Sequence, residues 1–431
     1  MQNQQAARQE IAALEASALR AAQSGQDEDA AKLWARILDI DPVHARALMA
    51  LGKRAIRYGD LGTARIAFER LVAANAGSTQ AWVNLALACQ GLKDEAGEEE
   101  AIRGALTADP GDLLALILRA NLLERQGNTH QAASVYGAVA SVAPPLARLS
   151  PELRPAVSHA LAYKHKYEGD YARFMARFLT PHYQAQAGEN LARFRESLDI
   201  LTGQKSRYES KSLMYHYPGL VPLPFFERAD FPWLDEVEAG TDAIRDEFLQ
   251  VLAGEAGFTP YLSYSADVPH NQFAELNNSP RWSAFHLHKM GQVVPENAAL
   301  CPATMRVLAA TPQPDQPGRT PSAMFSLLKP HTRIPPHTGV SNARLVTHLP
   351  LIIPADCGFR VANETRAWVP GKAWVFDDTI EHEAWNNSAK LRVILIFDIW
   401  HPHLTGPERA LVTAMGAAMR DFSGAEGSDG L

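Results

Sequence analysis

A spacing of 34 residues, or twice that, recurs through the first third of this sequence and constrains its fold more than any other feature. The residues that keep this spacing are the prolines Pro42, Pro110 and Pro144 and the glycines Gly25, Gly59 and Gly127. They define four units, at 11–44, 45–78, 79–112 and 113–146. Within each unit apolar residues recur at helical spacing, as in Leu48, Leu51 and Ala55. Since so short a helical unit cannot bury its apolar face alone, the four units must stack on one another.

Two further sets of residues occupy equivalent positions of every unit. The small residues are Ala18, Gly52, Ala86 and Ala120, and the larger apolar residues are Trp34, Phe68, Ile102 and Tyr136. A 34-residue helix–turn–helix unit with these markers and a closing proline resembles the tetratricopeptide repeat. The resemblance implies an all-α solenoid over residues 1–146. Its concave face serves either to recruit a peptide or protein substrate or as a structural or dimerising scaffold.

The remainder of the chain changes character twice. Helical sequence continues over 147–213, which we expect to cap the last repeat, and another helix is expected at about Leu234–Ala253. From about residue 280, strand-length apolar runs alternate with Pro, Gly and Asn turns, which predicts a sandwich, barrel or jelly roll. The predicted runs are Trp282–His288, Ala323–Leu328, Arg344–Ile353, Gly358–Ala362, Ala373–Phe376 and Arg392–Trp400. The chain is therefore predicted to be an α + β multidomain protein, with a second domain at 214–405 and a C-terminal helix and frayed tail at 406–431.

Composition excludes several classes of function. Lys and Arg number 41 against 48 Asp and Glu, so the net charge is −7 and there is no general basic surface for nucleic acid. No apolar run is long enough to span a bilayer, and the polar N-terminus has no apolar signal core. The three widely spaced cysteines exclude a disulfide framework and indicate a reducing, cytoplasmic environment.

Three residues of the second domain suggest chemistry. His337, in IPPHTGVSN, and His382, in FDDTIEHEAW, are expected at strand ends or in loops, either as ligands of Fe, Zn, Cu or Ni or as hydrogen-bonded loop residues. Arg392 opens the apolar run RVILIFDIW, where a guanidinium needs an anionic partner. That partner is either an internal Asp or Glu or a carboxylate ligand gripped bidentately. Two histidines and a buried arginine are the arrangement expected for a metal that binds a dicarboxylate cosubstrate.

The stretches HTGVSNARLVTHLPLIIP, RVANETRAWVPGKAWVFDDTIEHEAWNNS and LRVILIFDIWHP follow one another in this order. Together they closely resemble the aspartyl/asparaginyl β-hydroxylase family, with similarity from about Pro222 to Pro402. The resemblance implies a double-stranded β-helix, also described as a jelly-roll or cupin-like fold. It further implies a dioxygenase that requires Fe(II), with 2-oxoglutarate as cosubstrate and O2. Its implied reaction is hydroxylation of the β-carbon of Asp or Asn in a peptide or protein.

Through this resemblance His337 and His382 match the two iron ligands, and Arg392 matches the partner of the distal carboxylate of 2-oxoglutarate. Three other positions match residues of the cosubstrate pocket. Ser326 matches a hydroxyl that hydrogen-bonds the cosubstrate, Trp282 matches a tryptophan that lines its pocket, and His348 matches a histidine near its metal-binding end.

The sequence departs from the family's best-known members at one position, where Val346 replaces an arginine. Arg344 lies two residues earlier, and on a strand it would share the face of Val346. This replacement leaves the finer cosubstrate contacts and the choice of substrate open.

Most 2-oxoglutarate oxygenases carry a carboxylate two residues after the first histidine, where this chain and the family it resembles have glycine, here Gly339. We therefore expect iron to be held by two histidines, with water in the vacant place. Gly339→Asp would put a carboxylate there, which we expect to tighten iron binding and, by taking the space of that water, to reduce turnover. The alternative third ligands near His382 in the sequence are Asp377, Asp378, Glu381 and Glu383.

Other functions remain compatible with the sequence. The carbon hydroxylated is either that of an Asp or Asn side chain or that of a lipid acyl chain or free amino acid. A non-catalytic repeat adaptor with a degenerate barrel, or a cupin-like metal-binding protein without oxygenase activity, would share much of this pattern.

Overall fold

A computed structural model describes residues 2–254, 257–265 and 271–423, and the frayed tail expected from Gly424 onward lies outside these residues. The chain divides into two compact units. We call Met1–Gln204 the repeat unit and Lys205–Leu431 the β unit. The predicted combination of a helical N-terminal region with an antiparallel β-sheet domain is confirmed.

Each predicted 34-residue unit folds into a pair of helices. In chain order the helices are α1 Gln2–Gln23, α2 Asp27–Ile40, α3 Ala45–Arg57, α4 Leu61–Ala74, α5 Thr79–Gly91, α6 Glu95–Ala108, α7 Leu113–Arg125 and α8 Thr129–Val142. The markers of the period have structural causes. A Cβ on Gly52 would lie 2.6 Å from the Phe68 ring, so only glycine lets α3 approach α4 this closely. The turns between paired helices need a positive φ, which Gly25 adopts at 73° and Lys93 at 58° where the third unit lacks its glycine.

Two helices follow the repeats, α9 Arg154–Ala185 and α10 Ala192–Leu201. Val157 and Ala160 of α9 are buried in a cluster with Tyr136 and Val139 of α8, so α9 covers the last repeat as expected. The unit division falls after Gln204, whereas the second domain was predicted to start at 214. Backbone hydrogen bonds explain the difference. Lys211 N donates to the Thr379 carbonyl at 2.7 Å and Leu213 N donates to the Gly339 carbonyl at 3.1 Å.

The β unit contains five helices and eleven strands among the described residues. The helices are α11 Leu234–Ala239, α12 Thr241–Ala253, α13 Pro295–Leu300, α14 Pro302–Ala309 and α15 Gly406–Ser423. The strands are β1 Phe258–Pro260, β2 Trp282–Lys289, β3 Gln292–Val293, β4 Ala323–Leu328, β5 Thr332–His337, β6 Arg344–Ile352, β7 Cys357–Val361, β8 Glu364–Arg366, β9 Trp374–Phe376, β10 His382–Asn386 and β11 Arg392–Trp400. The single helix predicted at about Leu234–Ala253 is interrupted at Gly240, which separates α11 from α12.

The strands form two antiparallel sheets. The larger has the order β1-β2-β4-β11-β6-β9, with β3 paired to β2, and the smaller has the order β5-β10-β7-β8. Strands β1, β3, β5, β8 and β10 were not predicted. Strands β1, β3 and β8 have only two or three residues, and in β5 Pro335 and Pro336 interrupt the strand pattern. Since β5 lies at the edge of its sheet, these prolines are tolerated there.

The period-2 alternation of the central strand β11 decides which side chains face the smaller sheet. Leu395 and Phe397 belong to the core cluster that also contains residues of α11, α12 and α14. Ile394 and Ile396 belong to a second cluster with Ile334 of β5. Arg392 is in phase with Ile394 and Ile396, so its side chain enters the space on the side of the smaller sheet.

Candidate active site

A cavity of about 790 Å³ opens in the β unit on this inner side of the larger sheet. All six predicted site residues line it: Trp282, Ser326, His337, His348, His382 and Arg392. They come from β2, β4, β5, β6, β10 and β11, so the convergence depends on both sheets.

His337 and His382 are register partners on β5 and β10, and their ring centroids are 4.1 Å apart. The Nδ1–H of His337 donates to the Pro335 carbonyl at 2.8 Å, and the Nδ1–H of His382 donates to the Ile380 carbonyl at 3.0 Å. A carbonyl oxygen only accepts, so each Nδ1 carries the proton and each Nε2 keeps its lone pair. Backbone carbonyls orient metal-ligating histidines in this way.

Burial keeps both imidazoles neutral. It is the main cause that lowers the pKa of His337 to about 3, with the nearby His382 as a further cause. Burial also lowers the pKa of His382 to about 4. Neutral imidazole is the form that binds a metal ion, so the pair needs no deprotonation near neutral pH.

No third His, Cys, Asp or Glu joins the pair in a metal-binding cluster among residues 2–254, 257–265 and 271–423. The acidic residues proposed as alternatives have other partners. Asp377 accepts hydrogen bonds from the Thr379 backbone and hydroxyl. Glu381 and Glu383 accept from Arg360, at 2.9 and 2.6 Å.

The fourth acidic residue, Asp378, lies against Gly339. A Cβ on Gly339 would lie 2.1 Å from Asp378 Oδ2, so this carboxylate fills the space that a side chain at position 339 would need. Arg344 Nη2 holds the same oxygen at 3.0 Å. The other oxygen, Oδ1, is buried and has no hydrogen-bond partner among the described residues.

Arg392 is one of the largest fully buried side chains of the chain, with 1% of its surface exposed. Its Nη1 donates to the Ser326 carbonyl and hydroxyl at 3.3 and 3.4 Å, and its guanidinium carbon lies 4.9 Å from the centre of the Trp368 ring. Its Nε has no partner, and no Asp or Glu within the described residues forms an ion pair with it. Burial lowers the pKa of Arg392 to about 10. A buried cation without an anion is costly, so the site fits an anionic ligand.

The other predicted pocket residues surround this guanidinium and the histidines. Trp282 Nε1 donates to Ser326 Oγ at 3.3 Å, and Trp368 Nε1 donates to His348 Nδ1 at 3.4 Å. Burial lowers the pKa of His348 well below its usual range, so this imidazole is also neutral. The donor set therefore fits a metal at the two Nε2 atoms and a carboxylate at Arg392.

Comparison with known proteins identifies the domain. Residues 238–402 match the family model described as aspartyl/asparaginyl beta-hydroxylase. The chain is 36% identical over 203 residues to an ornithine lipid ester-linked acyl 2-hydroxylase from Rhizobium tropici, an alignment that covers 46% of this chain and 68% of that protein. The chain belongs to the aspartyl/asparaginyl β-hydroxylase family. It is also 32% identical over 206 residues to the aspartyl/asparaginyl beta-hydroxylase of Homo sapiens, covering 47% of this chain and 26% of the human protein.

The chain therefore spans about a quarter of the human family member. The solved structure of YrrB, a TPR protein with an unusual peptide-binding site, overlaps 35% of this chain and 76% of its own, with 18% identity and a TM-score of 0.30. A TM-score this low does not establish a shared fold, so the repeat assignment rests on the helix pairs and their period.

Sequence reasoning missed several residues of this β-hydroxylase-family site. Tyr261 stacks on Trp282 with ring centroids 3.9 Å apart, and Trp368 covers Arg392. Trp368 lies inside the stretch that carries the family resemblance, so that stretch was the available signal. Tyr261 lies outside the three stretches that carry the resemblance, although within residues 238–402, and no motif indicated its role.

The structure shows which residues surround Val346, the residue that replaces the family arginine. Arg344, Val346 and His348 all line the cavity, as their shared strand face predicted. Arg344 lies 3.0 Å from Asp378 and 3.3 Å from Asp398. Burial acts to lower the pKa of Arg344, but these two carboxylates outweigh it and hold the pKa above its ordinary value. Its charge is therefore already neutralised within the protein.

As to membranes, none of the helices in the described part of this family member combines the length and apolar character that crossing a bilayer requires.

Proposed function

We propose that the β unit is an Fe(II)- and 2-oxoglutarate-dependent dioxygenase that hydroxylates an unactivated carbon. The observation that carries the proposal is Arg392, a buried cation without an acidic partner among the described residues, in the same cavity as two neutral imidazoles whose Nδ1–H groups donate to backbone carbonyls. The strand order supports the further proposal of a double-stranded β-helix. Strands β4-β11-β6-β9 form one sheet of it and β5-β10-β7-β8 the other.

Iron together with 2-oxoglutarate and O2 would supply the oxidising power needed to break an unactivated C–H bond. The protein's own residues have simpler tasks. His337 and His382 would hold the metal through Nε2, while the carbonyls of Pro335 and Ile380 fix the ring orientations. Two protein ligands leave several coordination positions open for the cosubstrate and oxygen.

Arg392 and Ser326 would bind the distal carboxylate of 2-oxoglutarate by charge-assisted hydrogen bonds. Trp368 over the guanidinium and Trp282 against the serine hydroxyl keep this end of the cavity apolar and exclude water. Excluding water strengthens the ion pair between the guanidinium and the carboxylate.

Two classes of substrate are compatible with this site. The family's name suggests an Asp or Asn side chain in a peptide or protein, which the repeat unit would help to recruit. A specific observation favours the second class, an acyl chain. Among the described residues, the cation that shares the strand face of Val346 and lines the cavity is Arg344, and its charge is neutralised by Asp378 and Asp398.

The walls around the site agree with an uncharged substrate. The apolar lining residues include Met324, Val346, Ile394, Ile396 and Trp400. A substrate carboxylate would be buried there without a partner, which is unfavourable, whereas an acyl chain would be desolvated favourably. A free amino acid fits less well, since it would bring two charges.

The test is Arg392→Met, assayed anaerobically for 2-oxoglutarate binding in the presence of Fe(II) and aerobically for succinate formation. We expect 2-oxoglutarate to bind about 100-fold more weakly, because the distal carboxylate loses its charged partner. We also expect the thermal unfolding temperature of the ligand-free protein to rise, because an unpaired buried charge is removed.

Arg306→Met on the exposed surface of α14 is the matched control and should change neither quantity. Unchanged 2-oxoglutarate binding in Arg392→Met would contradict the proposal. A lower unfolding temperature with unchanged binding would give Arg392 a purely structural role.

A cytoplasmic location is part of the proposal. It is supported by Cys89, Cys301 and Cys357, which are all free thiols.

A further inference from the structure

The last helix of the β unit, α15, is apolar on the face that packs against the domain and also on an exposed face. From Ala410 to Met419 it carries no charged residue. Its inward face is anchored by Val412, which is buried with Trp400 and Leu404. Gly416 is also buried, and a Cβ there would lie 3.2 Å from Gln316. A helix held by one apolar face normally shows polar residues on the opposite face.

The opposite face of α15 is apolar and exposed instead. Leu411, Ala414, Ala418 and Phe422 follow one another at intervals of three and four residues, which places them along one side of the helix. Leu411 is 71% exposed and Phe422 is 96% exposed. This apolar stripe, which we call the α15 stripe, is covered by nothing among the described residues.

The same helix forms one wall of the mouth of the active-site cavity. Met415, Met419 and Phe422 line the cavity, and Met419 and Phe422 are also exposed to solvent. Met214, also exposed, lines the cavity too. Exposed apolar side chains therefore extend from the α15 stripe to the mouth, and further apolar side chains line the cavity beyond it.

Three basic residues line the mouth of the cavity. The cavity-lining residues that carry charge away from the buried site are Lys289, Arg319 and Arg420. The acidic residues in the lining, Asp378 and Asp398, are buried and ion-paired with Arg344. Asp421 lies 3.2 Å from Arg420 and reduces its contribution.

We propose that α15 docks the β unit on the surface of a lipid bilayer that contains anionic lipids, with Leu411 and Phe422 inserted among the acyl chains. The apolar stripe fits the boundary between headgroups and acyl chains, and the basic mouth fits anionic headgroups. An acyl chain can then enter the cavity from the bilayer without crossing water. The acyl-chain part rests on the proposed function, whereas the docking itself does not.

A bilayer fits better than a second protein surface for two reasons. The exposed stripe consists of only four apolar residues on one face of a single helix, and so few residues form a small area for a stable protein interface. It is also continuous with a cavity whose walls are apolar, and a protein occupying the stripe would lie across the mouth.

The experiment is flotation of the full chain with vesicles of phosphatidylcholine and phosphatidylglycerol. The test variant is Leu411→Ser with Phe422→Ser, which removes two exposed side chains. We expect its partition onto these vesicles to fall at least about tenfold, because the inserted apolar area is lost. The control Leu300→Ser with Val369→Ser removes two similarly exposed apolar side chains of the β unit and should bind like the parent.

The electrostatic part is tested with Lys289→Gln and Arg319→Gln. Each should weaken binding to the anionic vesicles by about fivefold, and neither should alter the weaker binding to pure phosphatidylcholine. Raising the salt concentration should reduce the same difference.

A second measurement reports directly whether α15 enters the bilayer. A dye that responds to polarity, attached through Ala418→Cys, should shift to shorter wavelength when vesicles are added, whereas the same dye on Val369→Cys should not. Absence of vesicle binding, or binding that the α15 double variant leaves unchanged, overturns the proposal. A dimer that dissociates in the double variant overturns it in favour of a second copy of the chain.

Docking and catalysis are separable in this design. Uncoupled succinate formation without vesicles should be the same in the single variant Leu411→Ser as in the parent, since Leu411 is not among the residues that line the cavity. Vesicle binding without any 2-oxoglutarate turnover would keep the docking and contradict the dioxygenase.

Discussion

The repeat unit and the β unit each bury a charged side chain, and the two side chains differ in whether the protein supplies a partner of opposite charge. In the repeat unit Glu98 is 1% exposed, yet it accepts from Arg125 Nη2 at 2.6 and 2.7 Å and from Gln90 at 3.0 Å. In the β unit Arg392 is equally buried and has one unpartnered nitrogen and no acidic partner among the described residues.

This difference separates a scaffold from a binding site. A buried charge that is paired within the protein adds nothing for a ligand to satisfy. A buried charge without a partner lowers stability and becomes favourable only when a ligand supplies the counter-charge. By this criterion, the candidate site lies in the β unit and not among the buried groups of the repeats.

The strongest test of the comparison removes the histidines. We expect His337→Ala and His382→Ala each to abolish succinate formation, by at least about a thousandfold, because one imidazole cannot hold the metal in place. Anaerobic Fe(II) titration, with and without 2-oxoglutarate, should show the loss of binding directly.

The matched control is His288→Gln, which changes a buried histidine of β2 that does not line the cavity. It should keep activity. If Asp378→Asn removes iron as completely as His382→Ala, Asp378 is a third ligand and the two-histidine site is wrong.

The second test concerns the glycine in the position of the usual carboxylate. The sequence alone suggests that Gly339→Asp adds a ligand and tightens iron binding. The structure predicts instead a loss of about 2–4 kcal/mol in the free energy of unfolding, because the new side chain meets the Asp378 carboxylate. Urea unfolding measures this loss.

Combining Gly339→Asp with Asp378→Gly should restore at least half of that stability, since one carboxylate then enters the space that the other has left. The two substitutions should therefore be strongly non-additive. Additive effects would mean that the contact between Gly339 and Asp378 is not the cause.

The third test addresses the paired charge of the repeat unit. Arg125→Met leaves Glu98 buried without its charged partner and should lower the free energy of unfolding of this unit by about 2 kcal/mol. Glu98→Gln with Arg125→Met should recover part of it, because no charge is then left unpaired. Succinate formation should stay the same throughout, and a loss of 2-oxoglutarate turnover that stability does not explain would contradict the separation of roles.

The smallest expected effect is a pH dependence from a buried histidine outside the cavity. Burial lowers the pKa of His401 to about 4, below its ordinary value of 6.5. Between these values the unfolded chain binds the proton and the folded chain does not, so stability is lost as the pH falls. His401 alone should contribute about 1 kcal/mol between pH 6.5 and 5.5.

His401→Asn should remove this part of the slope and keep an acceptor for the His403 backbone amide. Chemical unfolding at both pH values gives the difference. His403→Asn, at the exposed neighbouring histidine, serves as the comparison. An unchanged slope in His401→Asn would show that His401 is not the group responsible.

The sequence by itself determined the repeats, since their period is local. Four copies of the same spacing of small and large apolar residues define four helix pairs, and Gly52 against Phe68 shows that the small residue is fixed by close packing. The sequence also determined the family and six of the residues that line the cavity, because these six lie in stretches with recognisable order.

Only the tertiary structure decided how those residues act. That His337 and His382 are cross-strand partners, that Arg344 is neutralised while Arg392 is not, and that Asp378 fills the space beside Gly339 all depend on contacts between distant segments. The exposed stripe of α15 likewise cannot be recognised from composition, because an apolar helix has the same composition whether one face or both faces are buried. Local patterns fix local conformation, whereas burial and pairing of charge are set by which strands and helices meet.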